Sequence, residues 1–128
     1  MGQMLGGDRA RVLVVEDDDG LRETLSSGLR DAGFTITTAP DGTAALAECQ
    51  RRDHDLIILD LAMPGLDGIR FADAYRRIPG SGARIVVVSG TDKGAETASR
   101  IRADAFLSNP FEIDRLLATV QRLLGLAA

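Results

Sequence analysis

Val12-Leu13-Val14-Val15-Glu16-Asp17-Asp18-Asp19 and Leu56-Ile57-Ile58-Leu59-Asp60 decide the fold, because in each a run of four apolar residues ends directly in carboxylates. Such runs mark strands buried on both faces, and open α/β sheets place their ligands beyond the C-terminal ends of their strands. Two strands ending in Glu16, Asp17 and Asp60 therefore gather negative charge around one point. Crowded carboxylates repel one another and burial raises their pKa values, so they persist ionised when a cation sits among them. Ligands that are all oxygen favour a hard ion such as Mg²⁺.

Outward from these two stretches the pattern alternates strand and helix. Arg11–Val15 reads as the first strand. Gly20–Ala32 reads as a helix, with Leu21, Leu25 and Leu29 on one face, Asp18 or Asp19 as its cap and Gly33 as its stop. Phe34–Thr38 is β-branched and strand-like, and Pro40-Asp41-Gly42 punctuates before a helix from Thr43 to Arg52. Leu56–Leu59 is the third strand, and Met63–Gly68 a loop. Ile69–Ile78 follows as a helix, stopped by Pro79-Gly80. Arg84–Val88 is a fourth strand, Lys93–Arg102 a weak polar helix, Ala105–Leu107 a short fifth strand and Glu112–Leu124 an amphipathic helix. Five strands alternating with five helices predict an α/β, doubly wound parallel sheet. Right-handed crossovers put Glu16, Asp17, Asp60, Ser89 and the Ser108-Asn109-Pro110 turn on one edge.

The length of 128 residues suits one domain, and no output module is expected after the last helix. Met1–Arg9, with three glycines, reads as a flexible lead-in to a domain spanning residues 10–126. A net charge of −4 gives no electrostatic basis for binding nucleic acid. No apolar stretch approaches the ~20 residues of a membrane span. The single Cys49 cannot form an internal disulfide and suits a reducing, cytoplasmic setting.

Val12–Asp18, Asp55–Gly68 (D-L-I-I-L-D-L-A-M-P-G-L-D-G), Val86–Gly90 (V-V-V-S-G) and Phe106–Phe111 (F-L-S-N-P-F) together resemble the receiver domain of two-component response regulators, from about Arg11 to Leu124. The resemblance implies a flavodoxin-like fold of strand order 2-1-3-4-5 with five helices, in a single-domain regulator of the stand-alone chemotaxis type. It implies that Asp60 accepts a phosphoryl group from a sensor histidine kinase or histidine phosphotransfer protein in a Mg²⁺-dependent reaction. The chain would catalyse only its own phosphorylation and dephosphorylation, so it is not an enzyme in the ordinary sense. Glu16, Asp17, Asp60 and the backbone carbonyl of Ala62 would hold the metal, and Ser89 would donate its hydroxyl to the phosphoryl group. Gly90 would leave space for that group's approach. Phe106 would be the switching aromatic of a downstream-binding face built from the fourth helix, fifth strand and fifth helix.

One position departs from the family. Asn109 stands immediately before Pro110, where the family has a Lys. With Mg²⁺ present, Glu16, Asp17 and Asp60 leave a formal charge of −1, where that Lys would bring zero. Asn donates a hydrogen bond but no charge, and charge-assisted bonds are roughly twice as strong. This opens a second reading, a degenerate receiver that binds partners independently of phosphorylation. A metal-dependent phosphatase or nucleotide-binding enzyme is opposed by two features. No Gly-rich phosphate loop follows the first strand, and no carboxylate stands two residues after Asp60.

Other residues read more plainly. Asp18 and Asp19 are expected to serve helix capping. His54, among charged neighbours, reads as a solvated loop residue, and Cys49 as a buried inert thiol. Lys93, the only lysine, reads as a surface side chain. A second reading lets its stem reach the acidic pocket and stand in for the missing cation.

Overall fold

A computed structural model describes residues 10–126. The lead-in expected over Met1–Arg9 lies outside the described residues. The elements run β1 (Arg11–Val15), α1 (Asp19–Asp31), β2 (Thr35–Ala39), α2 (Gly42–Arg51), β3 (Leu56–Asp60), α3 (Gly68–Arg76), β4 (Arg84–Ser89), α4 (Asp92–Arg100), β5 (Ala105–Ser108) and α5 (Ile113–Leu123). The strands form one parallel sheet in the order β2-β1-β3-β4-β5, as the resemblance implied.

The apolar runs are explained by this order. β1, β3 and β4 have a strand on either side and helices on both faces, so their successive side chains enter two different cores. Leu13, Ile57, Leu59, Ile85 and Val87 face α2, α3 and α4 alongside Phe71, Tyr75 and Ala98. Val12, Val14, Ile58, Val86 and Val88 face α1 and α5 with Leu25, Leu29, Leu116 and Val120. Leu13 and Ile57 are fully buried, and truncating such a residue to Ala costs ~2–5 kcal/mol. β2 and β5 lie at the edges and are only partly buried, which matches their more polar sequences.

Helix starts follow cap chemistry. Asp18, and not Asp19, caps α1 by accepting from the Leu21 N–H at 2.8 Å. Asp41 caps α2 through the Ala44 N–H, and Asp67 accepts from the Ile69 and Arg70 N–H groups at α3. The caps lengthen these three helices by one residue at their starts relative to the expectation. α4 begins at Asp92 behind the cap Thr91 and stops at Arg100, two residues short of the expected Arg102, which takes a left-handed φ of 57°. Gly33 stops α1 as expected, with φ 102°.

His54 corrects the sequence reading. It is buried, 5% exposed, and neither ring nitrogen has a hydrogen-bond partner. It sits two residues before β3, lining a cleft at the N-terminal edge with Asp55, Arg84, Leu123 and Leu124. The charged neighbours Arg51, Arg52, Asp53 and Asp55 are exposed, while His54 is turned inward. Cys49 is a free, buried thiol whose pKa burial raises to about 11, so it is inert. No described helix is long and apolar enough to cross a membrane.

Candidate functional site

The C-terminal edge brings together the residues that the strand ends predict. One carboxylate oxygen each of Glu16, Asp17 and Asp60 lies within 4.8 Å of the others. Among the described residues this is the one cluster of potential metal-ligating side chains. Glu16 and Asp60 are buried and Asp17 is exposed, so the cluster has a closed floor and an open side.

Each carboxylate is placed by the backbone beneath it. The Glu16 N–H donates to the Ala39 carbonyl at 3.0 Å, which carries the β1 ladder one residue past the strand. The Glu16 Oε2 accepts from the Asp18 N–H at 3.0 Å, turning the chain into α1. Arg22 closes the turn from the helix side, donating to the Glu16 carbonyl at 3.0 Å and pairing with Asp19. Asp60 ends β3 opposite Val88 in the ladder, and one of its oxygens accepts from the Ala62 N–H at 2.8 Å. Ala62 itself is exposed on the loop after β3.

Crowding shows in the proton equilibrium of Glu16. Its pKa is raised from about 4.5 to about 8, first by burial and then by a hydrogen bond and the charge of Asp60, against a lowering by the Asp18 N–H. A carboxylate this reluctant to ionise alone favours a cation that would let it do so. The donor set is all oxygen and partly open, so it fits a hard divalent cation that keeps some of its water. The acidic cluster can therefore coordinate a divalent cation.

Ser89 and Asn109 frame the other side. Ser89 ends β4 and is buried, one residue beyond the partner of Asp60. Its carbonyl accepts from the Asn109 N–H at 2.9 Å, tying the β5–α5 loop to the end of β4. A Cβ added to Gly90 would meet Asn109 at an ordinary 3.7 Å, so packing does not require glycine there. Phe106 is half-buried in β5, packed against the core on the α4 side. Lys93 is exposed and lines a cleft with Ala62, Ser89, Thr91 and Gly94. Among the described residues, it has no carboxylate within ion-pair distance.

Two contacts escaped the sequence reading. Thr91 caps α4 and also touches the Ser89 hydroxyl, and Gly94 packs its backbone on the Ser89 side chain. The sequence signal was the Thr-Asp start before a polar helix, which marks a cap but not what the cap touches.

Known proteins share this fold. The chain is 34% identical to the transcriptional activator protein PfeR of Pseudomonas aeruginosa over 114 residues, covering 89% of this chain and 37% of PfeR. It is 36% identical to the transcriptional regulatory protein PrrA of Mycobacterium tuberculosis over 116 residues, covering 89% of this chain and 49% of PrrA. The chain thus spans half or less of the length of these two curated relatives. Among solved structures, the chemotaxis response regulator CheY4 of Vibrio cholerae superposes with a TM-score of 0.82 at 33% identity, covering 90% of this chain and 98% of that one. The response regulator TrrA of Thermotoga maritima, solved in complex with Mg²⁺-BeF, gives 0.78 at 32% identity, covering 89% and 98%. The response regulator receiver domain model matches residues 12–121. That span carries the strand ends on which the carboxylates converge, and it makes the chain a member of the response regulator receiver domain family.

Proposed function

We propose that residues 10–126 form one receiver unit in which Asp60 accepts a phosphoryl group from a sensor histidine kinase or histidine phosphotransfer protein. The observation that carries this reading is the convergence of Glu16, Asp17 and Asp60 at the sheet edge, with Ser89 one strand away. Glu16, Asp17, Asp60 and the Ala62 carbonyl would hold Mg²⁺, the ion that accompanies BeF in the TrrA complex. When bound, Mg²⁺ supplies positive charge against the carboxylates and the incoming phosphoryl oxygens.

The chain's own residues do the rest. The Ala62 N–H holds one Asp60 oxygen, which orients the carboxylate and leaves its other oxygen as the nucleophile. That oxygen forms a bond to phosphorus as the bond to the donor's nitrogen breaks, giving an acyl phosphate. Ser89 donates its hydroxyl to a phosphoryl oxygen. The bond made is on the protein itself, so the chain changes its own state and turns over no external substrate. The signal would leave by protein contact through α4, β5 and α5, where Phe106 lies. The buried, free Cys49 suits a cytoplasmic setting.

Asn109 favours the second reading, a receiver that binds partners without responding to phosphorylation. One experiment separates the two. Incubation with a phosphohistidine-bearing phosphotransfer protein and Mg²⁺ should add one phosphoryl group to the wild type and none to Asp60→Asn. Equal labelling of the variant would remove Asp60 from its role, and no labelling of the wild type would favour the phosphorylation-independent module.

A further inference from the structure

Three helices of this chain end in the same turn. In α1 the Gly33 N–H donates to the Arg30 carbonyl and the Phe34 N–H to the Leu29 carbonyl. In α5 Gly125 and Leu126 donate to Arg122 and Gln121, and in α4 Arg102 and Ala103 donate to Ser99 and Ala98. The turn needs one left-handed residue. Gly33 at φ 102° and Gly125 at φ 71° supply it without strain, but in α4 it is Arg102 at φ 57°. A side chain in that conformation is disfavoured, and such strain marks places where the side chain has a use.

Arg102 has company. Right-handed crossovers bring the C-terminal ends of α2, α3 and α4, which share one face of the sheet, to its N-terminal edge. These ends carry Arg51 and Arg52, Arg76 and Arg77, and Arg100 and Arg102, all of them exposed. Arg51 pairs with Glu48 and Arg77 with Asp73. Among the described residues, Arg52, Arg76, Arg100 and Arg102 have no carboxylate within ion-pair distance. A helix C-terminus carries about half a negative charge, which one arginine per helix already answers. The acids of this edge are engaged elsewhere. Asp55 accepts from the Arg11 N–H at 2.8 Å, Asp104 accepts from the Ile85 N–H at 2.8 Å and pairs with Arg84, and Asp53 lies against Gly80. The acids hold the strand starts, and the arginines are left to the outside.

We propose that this row of helix ends docks an acidic, extended segment of a partner protein, at the edge of the sheet opposite Asp60. Carboxylates suit it, because a guanidinium fork binds a carboxylate through two parallel hydrogen bonds. Neighbouring helices lie ~10 Å apart, about the reach of three residues of an extended chain. Nucleic acid is opposed by the net charge of −4 and by Asp53 and Asp73 within the row. A lipid surface is opposed by the lack of an apolar wedge. The large apolar side chains exposed among the described residues are Ile69, at the start of α3, and Leu126, past α5, and neither lies in the row. The proposal does not depend on the phosphoacceptor reading, since the row is a sheet's length from Asp60.

NMR titration of the full chain tests it, with a peptide of four Glu-Pro-Pro repeats as the probe. Its polyproline helix sets the glutamates along one face ~9 Å apart. The Nε–Hε resonances of Arg52, Arg76, Arg100 and Arg102 should shift, and added salt should weaken the binding. Replacing them together (Arg52→Gln, Arg76→Gln, Arg100→Gln, Arg102→Gly) should weaken it roughly tenfold, since exposed pairs contribute about a factor of two each. Arg102→Gly alone should weaken binding about twofold while stability to urea holds or rises, because glycine takes that turn unstrained. A loss of stability in Arg102→Gly would show that the arginine serves the fold and overturn its role in docking. Equal shifts with a Gln-Pro-Pro peptide, no shift at these arginines, or undiminished binding by the fourfold variant would overturn the proposal. Tighter binding of an oligothymidylate of equal charge, or of phosphatidylserine vesicles, would overturn the assignment of an acidic protein segment.

Discussion

Glu16 at the C-terminal edge of the sheet and His54 at the opposite edge are both almost wholly buried, and burial moves their proton equilibria in opposite directions for one reason. Water is withdrawn from the charged form in each case, which raises the pKa of an acid and lowers that of a base. Their neighbours differ. Glu16 faces Asp60 and Asp17, groups that a cation would gather into one ligand set. His54 lies among mixed charges, with Arg11 and Arg52 lowering its pKa and Glu48 and Asp55 raising it. One edge is built so that charge can return with a partner, and the other so that it stays away.

The largest effect should come from dismantling the C-terminal edge. Asp17→Ala should abolish Mg²⁺ binding measured by calorimetry and leave the fold intact, since three clustered carboxylates are themselves repulsive. Unchanged affinity in that variant would remove the metal assignment.

Adding charge to the same edge should sharpen the contrast. Losing a charged clamp at position 109 should weaken coupling by ~1–3 kcal/mol, the range of a charged hydrogen bond, and ~1.4 kcal/mol is tenfold in population. Asn109→Lys should therefore strengthen the NMR shifts that beryllofluoride produces around Phe106. If Lys93 already swings in as the cation, Lys93→Ala will weaken those shifts and Asn109→Lys will add little. A full response surviving Lys93→Ala would contradict the charge argument.

The sheet was legible because β1, β3 and β4 are buried on both faces and announce it by composition. The carboxylates were legible for a related reason, since acidic residues at the ends of apolar strands have few structural uses. His54 was not legible. Asp53 and Asp55 flank it and argue for solvent, and its burial beside a cleft shared with Arg84, Leu123 and Leu124 exists only in the folded chain. Gly94 was hidden in the same way: the stretch Lys93–Arg102 reads only as a weak polar helix, and the closeness of Gly94 to Ser89 exists only after β4 and α4 have packed.

The two edges should also respond oppositely to pH. The raised Glu16 pKa stabilises the metal-free fold fully below about 4.5, and that contribution is lost as pH rises through about 8. Mg²⁺ competes with this proton, so it should raise the unfolding midpoint more at pH 8 than at pH 5. The lowered His54 pKa works the other way. Its contribution is present above the unfolded value of about 6.5 and is lost as pH falls toward the folded one. Urea unfolding between pH 6.5 and 5 should show this loss, at most ~1.4 kcal/mol per pH unit for one proton. His54→Asn should flatten that slope, and an unchanged slope would place the titration elsewhere.

The C-terminal edge should become chemically competent when a divalent cation answers its carboxylates. Labelling by acetyl phosphate, followed by intact mass and peptide mapping in Mg²⁺ and in EDTA, tests it most directly. One phosphoryl group on Asp60 in Mg²⁺ and none in EDTA is the predicted result. Equal labelling in EDTA, or labelling at a residue other than Asp60, would contradict it.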